Sequence, residues 1–114
     1  MSLFRLIYHS ETNFPMSLNE RQSTGAKETL RKILEASARH NGERNISGAL
    51  IFDWDRFLQI LEGDTERVNQ TYAAIVRDPR HKNVTLVEAG SIESRSFSNW
   101  SMVHRDDKPD TKAV

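Results

Sequence analysis

The 114 residues carry 16 Lys or Arg against 16 Asp or Glu, and 37% are hydrophobic, a composition that suits one compact soluble domain. No basic excess marks the chain for nucleic acid or an anionic membrane surface, and no apolar run approaches the ~20 residues of a membrane span. There is no cysteine, so disulfides, thiolate catalysis and cysteine-based metal sites are excluded. Met1-Ser2-Leu3-Phe4-Arg5-Leu6-Ile7-Tyr8 lacks the layout of a signal peptide, and a cytoplasmic location is expected.

Residues 3–9 alternate, with Phe4, Leu6 and Tyr8 on one face and Leu3, Arg5, Ile7 and His9 on the other, which predicts a strand. Residues 11–25 are polar and read as a loop, with a helical start near Leu18. A helix over 26–41 places Ala26, Leu30, Ile33, Leu34, Ser37, His40 and Asn41 in one stripe, apolar at its start and polar at its end. Asn41-Gly42 is its expected stop.

Two strands follow over 46–52 and 57–61, joined by the short loop 53–56. Asp64 or Thr65 caps a second helix whose buried face is expected to carry Val68, Tyr72, Ile75 and Val76, and Asp78-Pro79 ends it. Residues 84–89 and 100–103 give a fourth and a fifth strand, and residues 105–114 a flexible charged tail beyond a domain of residues 1–104. The fold class is therefore α+β: a ferredoxin-like β-α-β-β-α-β with an additional C-terminal strand, two helices lying on one face of a five-stranded mixed sheet. The scaffold alone assigns no activity.

Gln59 is the anomaly. At period two it shares a face with Phe57 and Leu61, and an unpaired amide there costs a few kcal/mol, so it needs dedicated partners. A structural glutamine bonded to backbone is the plain reading. The sharper one is that an amide has an acceptor at one end and donors at the other, so turning it reverses its hydrogen bonds. Tyr8 by itself reads as a core tyrosine whose hydroxyl finds a carbonyl. If the first and third strands are neighbours, Tyr8 and Gln59 meet beneath the first helix, and Ser37, His40 and Asn41 complete a polar cluster in an apolar pocket. His9, His40, His81 and His104 show no metal-ligand spacing, and no glycine-rich phosphate loop occurs. Glu62-Gly63-Asp64 reads as a strand end and a helix cap. Arg77, Arg80, His81 and Lys82 form a small basic cluster, a solvated surface or a phosphate contact.

Six segments occur in an order that resembles BLUF domains, the sensors of blue light using FAD. They are Leu6-Ile7-Tyr8-x-Ser10, Ser37-x-x-His40-Asn41, Ile46-Ser47-Gly48-x-Leu50, Phe57-Leu58-Gln59-Ile60-Leu61-Glu62-Gly63, Asp78-Pro79-Arg80-His81 and Phe97-x-x-Trp100-x-Met102. The resemblance spans residues 3 to 103. It implies a non-enzymatic photoreceptor holding FAD, or alternatively FMN or riboflavin, without a covalent bond. Tyr8 would pass an electron and then a proton to the excited flavin, and Gln59 would rearrange its amide between Tyr8 and the ring. Asn41 would bond the polar edge of the ring, with Ile33 and His40 beside it. Arg80 and His81, with Asp78, would reach the ribityl and phosphate portion. Ser37, Trp100 and Met102 would couple the switch to output through the final strand.

Two departures accompany the resemblance. The segment between Tyr8 and Ile33 is several residues longer than the family pattern. Short members usually continue past the fifth strand into two helices that cover the sheet face away from the flavin. Here that face carries Ile7, Ile51, Leu58 and Ile60, so a homo-oligomer or a partner protein is expected across it. A flavin-free ferredoxin-like interaction module is the alternative function, and a small acyl-phosphate hydrolase using Arg80 is a third.

Overall fold

The computed structural model describes residues 2–12, 24–52, 55–98 and 100–104, of which residues 24, 26, 27, 29, 30, 33, 34 and 100–104 are described by backbone only. The element order is β1 (Leu3–Thr12), α1 (Thr24–Glu43), β2 (Ser47–Phe52), β3 (Arg56–Asp64), α2 (Thr65–Arg77), β4 (His81–Ile92) and β5 (Trp100–His104). The expected α+β class is what the chain adopts. Strands β4-β1-β3-β2 form an antiparallel sheet, and β5 extends it by pairing in parallel with β2. The expected tail, 105–114, and most of the expected loop, 13–23, lie outside the described residues.

Period-two patterning sorts the strands into two faces. On β1, Leu6, Tyr8, Ser10 and Thr12 are all buried. Opposite them on β3 and β2 lie Phe57, Gln59 and Leu61, then Phe52, Leu50 and Gly48, also buried. Leu6, Tyr8, Ile46, Leu61 and Val68 form the core, with Phe4, Tyr72, Ile75 and Val84 packed around it. Both helices and this sheet face line a common cavity, so both helices lie on the same side. The other face holds Ile7, Ile51 and Ile60, half-buried, and Leu58, which is 38% exposed.

Gly48 is required where it stands. Its φ is +146°, and a Cβ there would come within 1.8 Å of the Ile60 carbonyl oxygen. Only glycine lets β2 approach β3 this closely. Along the β1–β4 ladder, Ile7 and Tyr8 pair with Glu88 and Leu86, and His9 and Glu11 with Thr85 and Lys82. Both irregularities insert the additional residue on β4, an edge strand. β1 therefore keeps its alternation.

Three sequence expectations need correcting. α1 does not stop at Asn41-Gly42 but runs to Glu43, and Asn45, at φ 57°, is the left-handed residue that ends it. The Asn41 carbonyl accepts from both Arg44 N (3.2 Å) and Ile46 N (2.8 Å), which folds the chain back into β2. On α2, Val76 is 51% exposed, and Thr71 is buried in its place. At about 100° per residue, Val68, Thr71, Tyr72 and Ile75 cluster in one stripe and Val76 falls to its side. Finally, β1, β3 and β4 run past their expected limits, to Thr12, Asp64 and Ile92. The caps of α2 match expectation: the Asp64 side chain accepts from Arg67 N (3.3 Å), and Asp78, held extended before Pro79, closes the helix.

Candidate functional site

Antiparallel pairing places Tyr8 directly opposite Gln59, and Gln59 opposite Leu50. The same cross-strand row reaches β5 at Met102. Both Tyr8 and Gln59 are buried, and the Tyr8 hydroxyl donates to Gln59 Oε1. The amide so held presents its Nε2 donors away from Tyr8. Burial, and secondarily neighbouring Tyr72, push the Tyr8 phenol well above its ordinary range, so it stays a donor throughout neutral pH. The Tyr72 ring lies 5.6 Å from that of Tyr8.

The row forms the floor of a cavity of about 310 Å3, within the size range of small-molecule sites. α1 contributes Ala36, Ser37, Arg39, His40 and Asn41, and α2 contributes Thr71, Ala74 and Ile75. Leu50, Phe57, Asp78, Arg80 and His81 complete the wall. The structure thus brings together Tyr8, Ser37, His40, Asn41, Gln59, Asp78, Arg80 and His81, which the sequence had singled out. Asn41 is buried at the polar end of α1, whereas His40 is exposed toward the opening. The side chains of Ile33, Trp100 and Met102 lie outside the described residues; by backbone, Trp100 pairs with Gly48 and Met102 with Leu50.

His81 bonds Ser10 Oγ through Nδ1 (2.7 Å) and packs on Phe57, ring centroids 4.3 Å apart. Burial pushes its pKa down to about 4, so the ring is neutral at pH 7. Arg80 grips Asp78 through Nε (3.1 and 3.2 Å) and Nη2 (2.6 Å), and this side-chain bonding holds the Asp78 carboxyl below its ordinary range. Ser10, Leu50, Phe57 and Thr71 join the site without having been assigned a role there. For Ser10 the signal was its place two residues after Tyr8, on the same strand face. Thr71 gave none.

Thr71 Oγ1 is buried, without a hydrogen-bond partner, in the cavity wall. A buried hydroxyl left unpaired is costly. Together with Asn41 and Gln59 it sets polar groups beside Leu50, Phe57, Ala74 and Ile75, a mixture suited to the heteroatom edge of a flat ring system. The residues present fit a flavin. Among the described residues no group of His, Asp or Glu is placed to hold a metal ion, and no helix is long and apolar enough to cross a membrane.

The fold and the site define a small α+β domain with a cavity suited to a flavin, and comparison with known proteins assigns its family. Residues 3–103 match the family model for sensors of blue light using FAD, and the chain belongs to the BLUF family. It is a blue-light sensor domain that uses FAD. It is similar to the beta subunit of photoactivated adenylate cyclase of Euglena gracilis, 31% identical over 89% of this chain and 11% of that protein. It is also similar to the blue light- and temperature-regulated antirepressor BluF of Escherichia coli, 32% identical over 64% of this chain and 18% of that protein. The dark-state structure of the BLUF protein BlrB superimposes with a TM-score of 0.73 at 26% identity, over 91% of this chain and 72% of that one. This chain therefore spans under a fifth of the length of those two curated relatives. The flavin-free alternative is not favoured.

Proposed function

We propose that Tyr8 and Gln59 are the photochemical switch of this sensor and that β5 carries its output. The observation behind this reading is the hydrogen bond from the Tyr8 hydroxyl to Gln59 Oε1 at the floor of the cavity. Bound flavin supplies the blue absorption and, once excited, an acceptor for one electron. Tyr8 would pass an electron and then its phenolic proton to the excited flavin, and take both back. During the interval its hydroxyl stops donating to Gln59, and the amide is free to turn. Once turned, it offers donors where it had offered an acceptor, and a buried amide cannot exchange partners with water to hide the change.

Asn41, Gln59 and His40 hold the ring in this reading, with Ile33 beside it, and Asp78, Arg80 and His81 meet the ribityl and phosphate portion. Neutral His81 and the Asp78–Arg80 pair favour hydrogen bonds over a bare charge–charge contact. FAD is the expected flavin, with FMN or riboflavin as alternatives. Ser37, Trp100 and Met102 couple the switch to output, since Met102 stands on the Tyr8–Gln59–Leu50 row. We further read the strand order as a ferredoxin-like arrangement with β5 added, and residues 1–104 as a non-enzymatic cytoplasmic module. Its output passes to a partner protein or a second copy across the face bearing Ile7, Ile51, Leu58 and Ile60.

The test is an absorption spectrum of the flavin-loaded protein before and after blue light, for the natural chain and for Tyr8→Phe. The natural chain shifts reversibly to the red, while Tyr8→Phe binds flavin and does not shift. An undiminished shift in Tyr8→Phe removes Tyr8 from the mechanism.

A further inference from the structure

We propose that Glu62 is a positioning residue for output, the clamp that seats the β4–β5 crossover and so sets β5 on β2. The proposal rests on the reading that β5 carries the signal. β4 and β5 lie on opposite edges of the sheet, so the chain between them must pass β1, β3 and β2. Four strand spacings of ~4.8 Å and three residues of offset along the strands make a path of roughly 21 Å. The eight Cα steps from Ile92 to Trp100 reach only about 26–29 Å when fully extended. Little slack remains, and wherever this strap is fixed, the start of β5 is fixed with it.

It is fixed on one cross-strand row. Arg5 on β1, Glu62 on β3 and Ser47 on β2 are direct neighbours, and all three bind the strap. Glu62 Oε1 accepts from the backbone N–H groups of Ser96 (2.8 Å) and Phe97 (3.0 Å). Its other oxygen, Oε2, accepts from Arg5 Nε (2.8 Å), and Arg5 Nη2 donates to Ser96 Oγ (2.6 Å). From the strap, Arg95 donates to Ser47 Oγ (2.6 Å) and to the carbonyls of Glu62 (3.0 Å) and Asn45 (2.9 Å). Glu62 is fully buried. A carboxylate so enclosed, accepting from two main-chain N–H groups and an arginine, holds its partners in a single geometry.

Glu62 is also three residues from Gln59 on the same strand. The two side chains leave β3 on opposite faces, Gln59 toward the cavity and Glu62 toward the strap. β3 is thus held to β1 and β2 by its ladders and to the strap by Glu62, three residues before β5 begins. With the clamp closed, a displacement of β3 at Gln59 reaches β5 both through β2 and through the strap. With it open, β5 keeps its parallel pairing with β2 and its approach to α1, but loses its tie to β3 through the strap.

The experiment is amide hydrogen exchange, in darkness and under blue light, on the full chain with FAD and on Glu62→Gln and Arg95→Gln. Both variants keep FAD and the red-shifted light state, because neither residue lines the cavity. In darkness their amides at 96–104 exchange about tenfold faster or more, as expected when local opening loses charge-assisted bonds. The light-induced change in β5 exchange falls at least severalfold. Dark exchange within twofold of the natural chain in both variants overturns the proposal. So does a full light-induced response of β5 in a variant whose dark exchange has risen. If Glu62→Gln does not fold, Arg95→Gln decides alone. The dark measurements hold their meaning even if the natural chain shows no red shift, which would instead defeat the photochemical reading of Tyr8 and Gln59.

Discussion

Two polar rows cross the same three strands, three residues apart and on opposite faces. Tyr8–Gln59–Leu50 faces the helices and Arg5–Glu62–Ser47 faces the strap. The first joins neutral groups, a phenol and an amide, around a cavity. The second is an ion pair closed over backbone N–H groups, with Glu62 fully buried. A neutral amide has two nearly equivalent ways to pair and can change between them. A carboxylate between an arginine and two amide N–H groups has one. Both rows bury polar atoms in the same sheet, but on the proposed reading one turns and the other holds.

Both rows depend on Gly48, which lies on the row of Leu6, Leu61 and Trp100 between them. Gly48→Ala sets a Cβ against the Ile60 carbonyl and a side chain at φ +146°. Overpacking and backbone strain together cost about 3–5 kcal/mol, seen as a lower urea midpoint. Flavin binding and dark protection of 96–104 fall together, because both rows lose their common frame. A variant that lost only one of the two would show that the rows are independently supported.

Gln59→Leu divides the rows. The Tyr8 hydroxyl loses its acceptor, at about 1–3 kcal/mol in the flavin-free protein. The light-induced red shift disappears, while exchange at 96–104 in darkness stays at its natural level. Loss of flavin in this variant would make Gln59 an anchor for the ligand and not a switch.

The smallest effect concerns His81, at the rim of the turning row. Its folded pKa, about 4, lies below the ordinary 6.5, so the unfolded chain takes up the proton more readily. This contribution to stability is complete above pH 6.5 and is lost as pH falls from 6.5 toward 4. His81→Gln should flatten that part of the urea-midpoint profile of the flavin-free protein and leave the region above pH 7 level. A profile unchanged by the substitution would show that His81 is not the group responsible.

Much of the turning row was legible in the sequence and little of the holding one. Gln59 stood out because period-two alternation put an amide among Phe57 and Leu61, and the element order made β1 and β3 neighbours. Tyr8 by itself read as a core tyrosine, and its role came only from the resemblance to BLUF domains. Glu62 read as the end of a strand, because its partners lie 57 residues upstream at Arg5 and more than 30 downstream at Ser96 and Phe97. No local pattern encodes such a contact; it exists only once the strap crosses the sheet. The helix stop was misplaced for a related reason. Asn41-Gly42 carries the composition of a cap, but the Asn41 carbonyl takes both the Arg44 and the Ile46 N–H groups, and the left-handed residue falls at Asn45.

The proposed step is a light-driven reversal of hydrogen bonding by the Gln59 amide. It is tested most directly by light-minus-dark infrared spectra of FAD-loaded protein carrying 13C-labelled glutamine side chains. A glutamine carbonyl band is expected to shift as the red shift appears, to return with it in darkness, and to stay unmoved in Gln59→Leu. A full visible red shift with every glutamine carbonyl band unmoved would contradict it.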